Sequence, residues 1–123
     1  MKTYEILKRD GVVGCLVHQT GKKLVSVLPI SGRYAFKFDV DFTAGGVQEL
    51  SNSILRNYFL TPRSLHDYNR WFSYYIQKRI GLKKLREEKR LANFDFCKIT
   101  EKQIGKWIEQ QKIQEVVEKL EGR

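Results

Sequence analysis

The sequence predicts an α+β fold: a small antiparallel sheet of three or four strands, placed in the N-terminal part, packed against two or three helices. Three observations carry this. β-prone segments flank an Asp10-Gly11 pair, and Asp-Gly favours the positive φ that a tight hairpin turn demands. Apolar residues show the clearest alternation in the chain from Tyr34 to Val40, and from Val47 onward they recur at spacings of three, four and seven, the periods of a strand and of a helix respectively.

Thr3 to Lys8 and Val12 to His18 form the two arms of the hairpin. A turn at Thr20-Gly21 leads to a strand over Leu24 to Ile30, where Pro29 ends the pairing or keeps it at an edge, because it has no amide hydrogen for the ladder. Tyr34, Phe36, Phe38 and Val40 then point to the core, with Ala35, Lys37, Asp39 and Asp41 on the other face. In the first helix Val47, Leu50, Ile54, Leu55, Tyr58 and Phe59 make one stripe, while Gln48, Glu49, Asn52 and Arg56 take the solvent side. Thr61-Pro62 supplies the start of a second helix, whose apolar side carries Leu65, Tyr68, Phe72, Tyr75, Ile76 and Ile80. Gly81 stops it, and Leu82 to Leu91 forms a short charged helix with little apolar face.

Phe94 to Phe96 is a short strand or an extended link. Thr100 caps the last helix, with Gln103 completing a capping box. Its first stripe is Ile104, Trp107 and Ile108; its second is Ile113, Val116, Val117 and Leu120. The step from Ile104 to Ile113 turns the face by about 180°, so either the helix breaks near Gln110-Gln111 or its end packs against a second copy. Residues 1–112 are read as one domain and 113–123 as a helical tail able to mediate a homodimer. Phe36, Phe38, Leu50, Ile54, Phe72, Tyr75, Ile104 and Trp107 are the expected core, each contributing roughly 1.5–3 kcal/mol by burial.

At 123 residues the chain has the size of one domain, and 41% hydrophobic content argues against disorder. No apolar run approaches the roughly 20 residues that span a bilayer, and the charged N-terminus lacks a signal-peptide pattern. A cytoplasmic protein without membrane contact is expected. Cys15 and Cys97 read as reduced core thiols. With His18 and His66 they provide no zinc spacing, and no cofactor is called for.

The formal charge is +9. Lys78 to Arg90 alone holds seven Lys or Arg (Lys78, Arg79, Lys83, Lys84, Arg86, Lys89, Arg90) against two Glu, a density that calls for open solvent or an anionic partner. Two features extend this segment into a candidate site. Gly45-Gly46 before the first helix presents the amides of Val47 and Gln48 toward an anion. Trp71 and Tyr74, beside Arg70 and Lys78, offer flat rings for stacking a base next to cations for its phosphate. Both also have plainer readings, as a turn and as the margin of a core stripe. No nucleophile–base pattern is present locally, so an enzyme is not expected; the weakest alternative is a hydrolase built from Asp39, Asp41 and His18.

Phe42 to Phe59 (FTAGGVQELSNSILRNYF), with Gly46 to Leu50 and Ile54-Leu55 as its fixed points, resembles the signature of a family of small phage and mobile-element proteins, a domain of unknown function. Tyr68-Asn69-Arg70-Trp71-Phe72 is similar to that family's aromatic helix, and Thr100, Glu101, Ile104, Trp107 and Ile108 to its closing helix. The resemblance implies no catalytic residues. It implies a mobile-element setting, where small non-enzymatic proteins often bind nucleic acid or disarm host defence; with the basic segment, the expected function is non-catalytic binding of nucleic acid or a nucleotide. The alternative is a protein–protein inhibitor or adaptor that lays its basic face on an acidic host protein.

Overall fold

A computed structural model describes residues 1–21, 23–41, 45–60 and 66–120, with the side chains of 66–67 and 113–120 left aside. The fold is α+β. Among the described residues, four antiparallel strands, β1 (Lys2–Arg9), β2 (Val12–Gln19), β3 (Val25–Val27) and β4 (Phe94–Thr100), lie in the order β3-β2-β1-β4. Four helices accompany them: α1 (Gly46–Phe59), α2 (His66–Ile80), α3 (Leu82–Glu87, followed by a 3-10 turn to Arg90) and α4 (Glu101–Leu120).

The hairpin forms as its turn chemistry dictates. Arg9 pairs with Val12, leaving a two-residue loop in which Asp10 (φ 52°) and Gly11 (φ 80°) both take positive φ, the geometry that matches strand twist. The fourth strand comes from the C-terminal half instead of the N-terminal third. β4 runs to Thr100, beyond the predicted Phe94 to Phe96, and pairs with β1; a register shift between Ile6 and Leu7 leaves Phe96 as the extra residue. β3 is shorter than the predicted Leu24 to Ile30, although the Leu28 amide still donates to the Cys15 carbonyl at 2.8 Å.

Residues 34–40 are not a strand. Only Val13 and Phe38 bridge. The Val40 amide donates to its neighbour Asp39 Oδ1 at 2.8 Å, a local bond that competes with ladder pairing, and the Val40 carbonyl accepts from Gln77 Nε2 at 2.9 Å. Phe38 and Val40 reach the core, but Phe36 is 93% exposed and does not belong to it.

The core lies between the sheet and the helices: Tyr4, Ile6, Cys15, Val17, Phe96 and Ile99 from the strands meet Leu50, Ile54, Leu55, Phe72, Ile76, Ile104 and Trp107. Phe59 stays 40% exposed. α1 is enclosed on more than its apolar stripe. Glu49 and Asn52, expected on the solvent side, are fully buried, because the 28–41 segment passes over that face. Thr100 and Gln103 exchange the two bonds of a capping box, at 3.0 and 3.1 Å. No break occurs at Gln110-Gln111: α4 is continuous to Leu120, and its sequence from Lys106 onward has neither Gly nor Pro to interrupt it. The start at Thr61-Pro62 and the contacts of Leu65, His66, Ile113, Val116, Val117 and Leu120 lie outside the described residues. Among the described residues no helix is long and apolar enough to cross a membrane.

Candidate nucleic-acid interface

Residues 71, 74, 75 and 78 of α2 repeat at helical spacing, as do 107, 110 and 111 of α4, so each set occupies one helix face. The two faces meet in a groove of about 580 Å³ lined by Trp71, Tyr74, Tyr75, Lys78, Arg79, Trp107, Gln110 and Gln111. Trp107 is buried and anchors it: its ring lies 5.0 Å from Phe72, 6.0 Å from Tyr75 and 6.2 Å from Tyr68, centre to centre. Trp71 and Tyr74 stand at the margin, 57% and 43% exposed, with ring centres 6.1 Å apart and planes inclined at 43°. The Arg70 guanidinium lies 6.0 Å from the Trp71 ring, within cation–π range. Burial raises the Tyr75 hydroxyl pKa, an effect that nearby Arg79 partly opposes.

The structure divides the basic segment into two groups. Arg79 and Lys84 serve the sheet. Arg79 Nη2 donates to the Lys98 carbonyl at 3.0 Å, and Lys84 Nζ donates to the Phe96 carbonyl at 2.7 Å and the Asp95 carbonyl at 3.3 Å. These carbonyls belong to β4, the edge strand, whose unpaired acceptors are thereby covered. Lys78, Lys83, Arg86, Lys89 and Arg90 are exposed, and among the described residues no carboxylate pairs with them. The two acids of the segment do not neutralise it. Glu88 is buried and turned to Lys8, whose Nζ lies 3.5 Å from its carboxylate and 2.8 Å from its carbonyl. With Lys84 held on β4 and Leu85 packed against the core, helical geometry puts Lys83 and Arg86 on the outer side of α3.

The glycine turn is arranged differently from its sequence reading. Gly45 takes φ 75°, and Gly46 and Val47 are buried. A Cβ on Gly46 would lie 2.9 Å from the Asp39 backbone nitrogen, so this glycine permits close backbone approach to the 34–40 segment. Glu49 in the same turn receives the Ser31 hydroxyl and the amides of Gly32 and Tyr34. Gly46 and Val47 therefore present no open cradle to a phosphate, and Gly45 and Gln48 remain beside Tyr34 as parts of a packed turn.

Nor does the hydrolase trio assemble. Asp39 and Asp41 come together with Glu88, their carboxylate oxygens within 4.8 Å of one another, and the Lys8 ammonium beside Glu88 supplies positive charge there. His18 instead faces Glu5, with Nε2 at 3.2 Å. It lies five residues along β2 from Val13, the β2 residue that pairs with Lys8, a separation of about 17 Å.

Sequence reasoning thus singled out Trp71, Tyr74, Lys78 and Arg79, but assigned Trp107 and Tyr75 to the core alone and considered Gln110-Gln111 only as a point where the helix could break. The available signal was the i, i+3, i+4 spacing of Trp107, Gln110 and Gln111. No family model matches this chain, and neither do any curated protein or solved structure.

Proposed function

We propose that this protein is a non-catalytic binder of nucleic acid or a nucleotide, acting through the α2–α4 groove and the basic segment beside it. One observation carries the reading: exposed rings and cations from α2 line the same groove as the polar side chains of α4. Rings next to cations can stack a base and hold its phosphate. The five cations from Lys78 to Arg90 that are not engaged with the β4 carbonyls (Lys78, Lys83, Arg86, Lys89 and Arg90) add attraction for polyanions, which weakens as salt reduces the gain from counterion release. The mobile-element setting and a role against host defence rest on the sequence resemblance.

Fluorescence anisotropy with a labelled mixed-sequence 20-mer, titrated at 50, 100 and 200 mM salt, tests the proposal. Binding that weakens by at least about tenfold over this range is expected for several phosphate contacts. No binding at 50 mM, to either the oligonucleotide or mononucleotides, overturns it.

A further inference from the structure

Resting on that reading, we infer that the ligand is single-stranded nucleic acid, with an unpaired base stacked on Trp71 and the backbone passing Lys78. Trp71 is more than half exposed at the groove margin, and a base can lie on its ring only if its own face is free. In a duplex that face is covered by the neighbouring pairs. Trp71 and Tyr74 do not form a slot for one base: a sandwiched ring needs parallel walls about 6.8 Å apart, twice the stacking distance, whereas these rings are 6.1 Å apart and inclined at 43°. Trp71, more than half exposed at the margin, instead offers a single ring surface, the form that suits one base of a passing strand.

The remaining geometry disfavours the other two nucleic-acid ligands. A mononucleotide site encloses most of its ligand, but Trp71, Tyr74, Lys78, Arg79 and Gln110 are all exposed. From Trp71 to Lys78 is seven helical residues, about 10 Å, room for more than one nucleotide step, and Lys83, Arg86, Lys89 and Arg90 provide further cations than one phosphate group can use. Duplex recognition in a major groove inserts a helix or a two-stranded β-ribbon, and the exposed cations of the basic segment sit on α2, α3 and the 3-10 turn, not on a ribbon. α3 is six residues long and is fixed to the protein through Lys84 and Leu85, so it has no free shaft to insert.

The experiment compares 12-mers of oligo-dT and oligo-U, a 12-base-pair DNA duplex and a thymidine mononucleotide at 100 mM salt, read by anisotropy and tryptophan quenching. Both single strands should bind at least tenfold more tightly than the duplex and the mononucleotide; a difference between dT and U assigns DNA or RNA. Trp71→Ala should weaken single-strand binding by about 5- to 150-fold without changing the slope of log affinity against log salt, while Trp71→Phe retains most of it. Lys83→Ala should reduce that slope by about 0.7. Equal affinity for duplex or mononucleotide, or a Trp71→Ala protein that is folded by circular dichroism and binds normally, overturns the single-strand inference and leaves the proposed function standing. Absence of all binding removes both.

Discussion

The Ser31 hydroxyl donates to the carboxylate of Glu49, and this carboxylate lies fully buried in the first turn of α1. The Gly32 amide donates to the same group, and Asn52 Nδ2 reaches the Ser31 oxygen at 3.2 Å. A helix residue expected to face water instead gathers the donors of a loop that has no ladder of its own. Removing it takes the shared acceptor from the Ser31 hydroxyl and the partly buried amides of Gly32 and Tyr34 together, which is more damaging than losing one hydrogen bond. Glu49→Ala should lower unfolding free energy by about 2–4 kcal/mol, against about 1 kcal/mol for Ser31→Ala, as read from urea midpoints.

Gly46 lies against the Asp39 backbone with no room for a methyl group. Gly46→Ala should destabilise the fold by about 1–3 kcal/mol, as overpacking does, and shift the thermal midpoint down by several degrees. Gly14, in β2, has open space where a methyl group would sit; Gly14→Ala should leave the midpoint unchanged or raise it slightly. Equal loss at both positions would contradict the packing described for the α1 turn.

Within the basic segment, adjacent lysines have separate duties. Lys84 covers the carbonyls of β4, whereas Lys83 faces away. Lys84→Ala should lower stability by about 1 kcal/mol. Lys83→Ala should stay within about 0.5 kcal/mol of the parent protein, as exposed substitutions do, while weakening polyanion binding. Chemical denaturation and anisotropy on the same two variants separate the duties.

Cys15 and Cys97 flank Ile6 on its two neighbouring strands, which puts their Cα atoms about 9–10 Å apart, beyond the reach of a disulfide. Burial pushes the Cys97 thiol up to about 11, with Arg79 and Lys84 opposing the shift, and raises Cys15 further. Folded thiols therefore hold their protons where unfolded ones have begun to lose them. The contribution of Cys97 is fully present below about pH 8.5, the unfolded thiol value, and falls progressively until about pH 11. Cys97→Ser should remove the share of Cys97 from the slope over that interval and leave that of Cys15, and at pH 7.5 both thiols of the native protein should react slowly with iodoacetamide and rapidly in urea.

Periodicity and turn chemistry made the hairpin, α1, α2 and the Thr100 capping box legible, because each depends on neighbours within a few residues. The segment from Tyr34 to Val40 misled for a matching reason: alternation records which faces a strand would have, not whether a strand is available to pair with it. β1 found its second neighbour in β4, and Phe36 was left in solvent while Phe38 reached the core. The same limit applies to Glu49 and Asn52, whose burial is imposed by a loop from elsewhere in the chain.

The sequence by itself determined the fold class, the local hairpin and helix signals, and an excess of cations between residues 78 and 90, since composition and short-range spacing suffice for these. Only the tertiary structure decided which cations were committed to the β4 edge and which were left without such a bond, and only it brought Trp71 and Tyr74 alongside Trp107, Gln110 and Gln111. Those outcomes depend on the docking of α2 against α4 and of α3 along β4, contacts between segments whose relative placement no local pattern specifies.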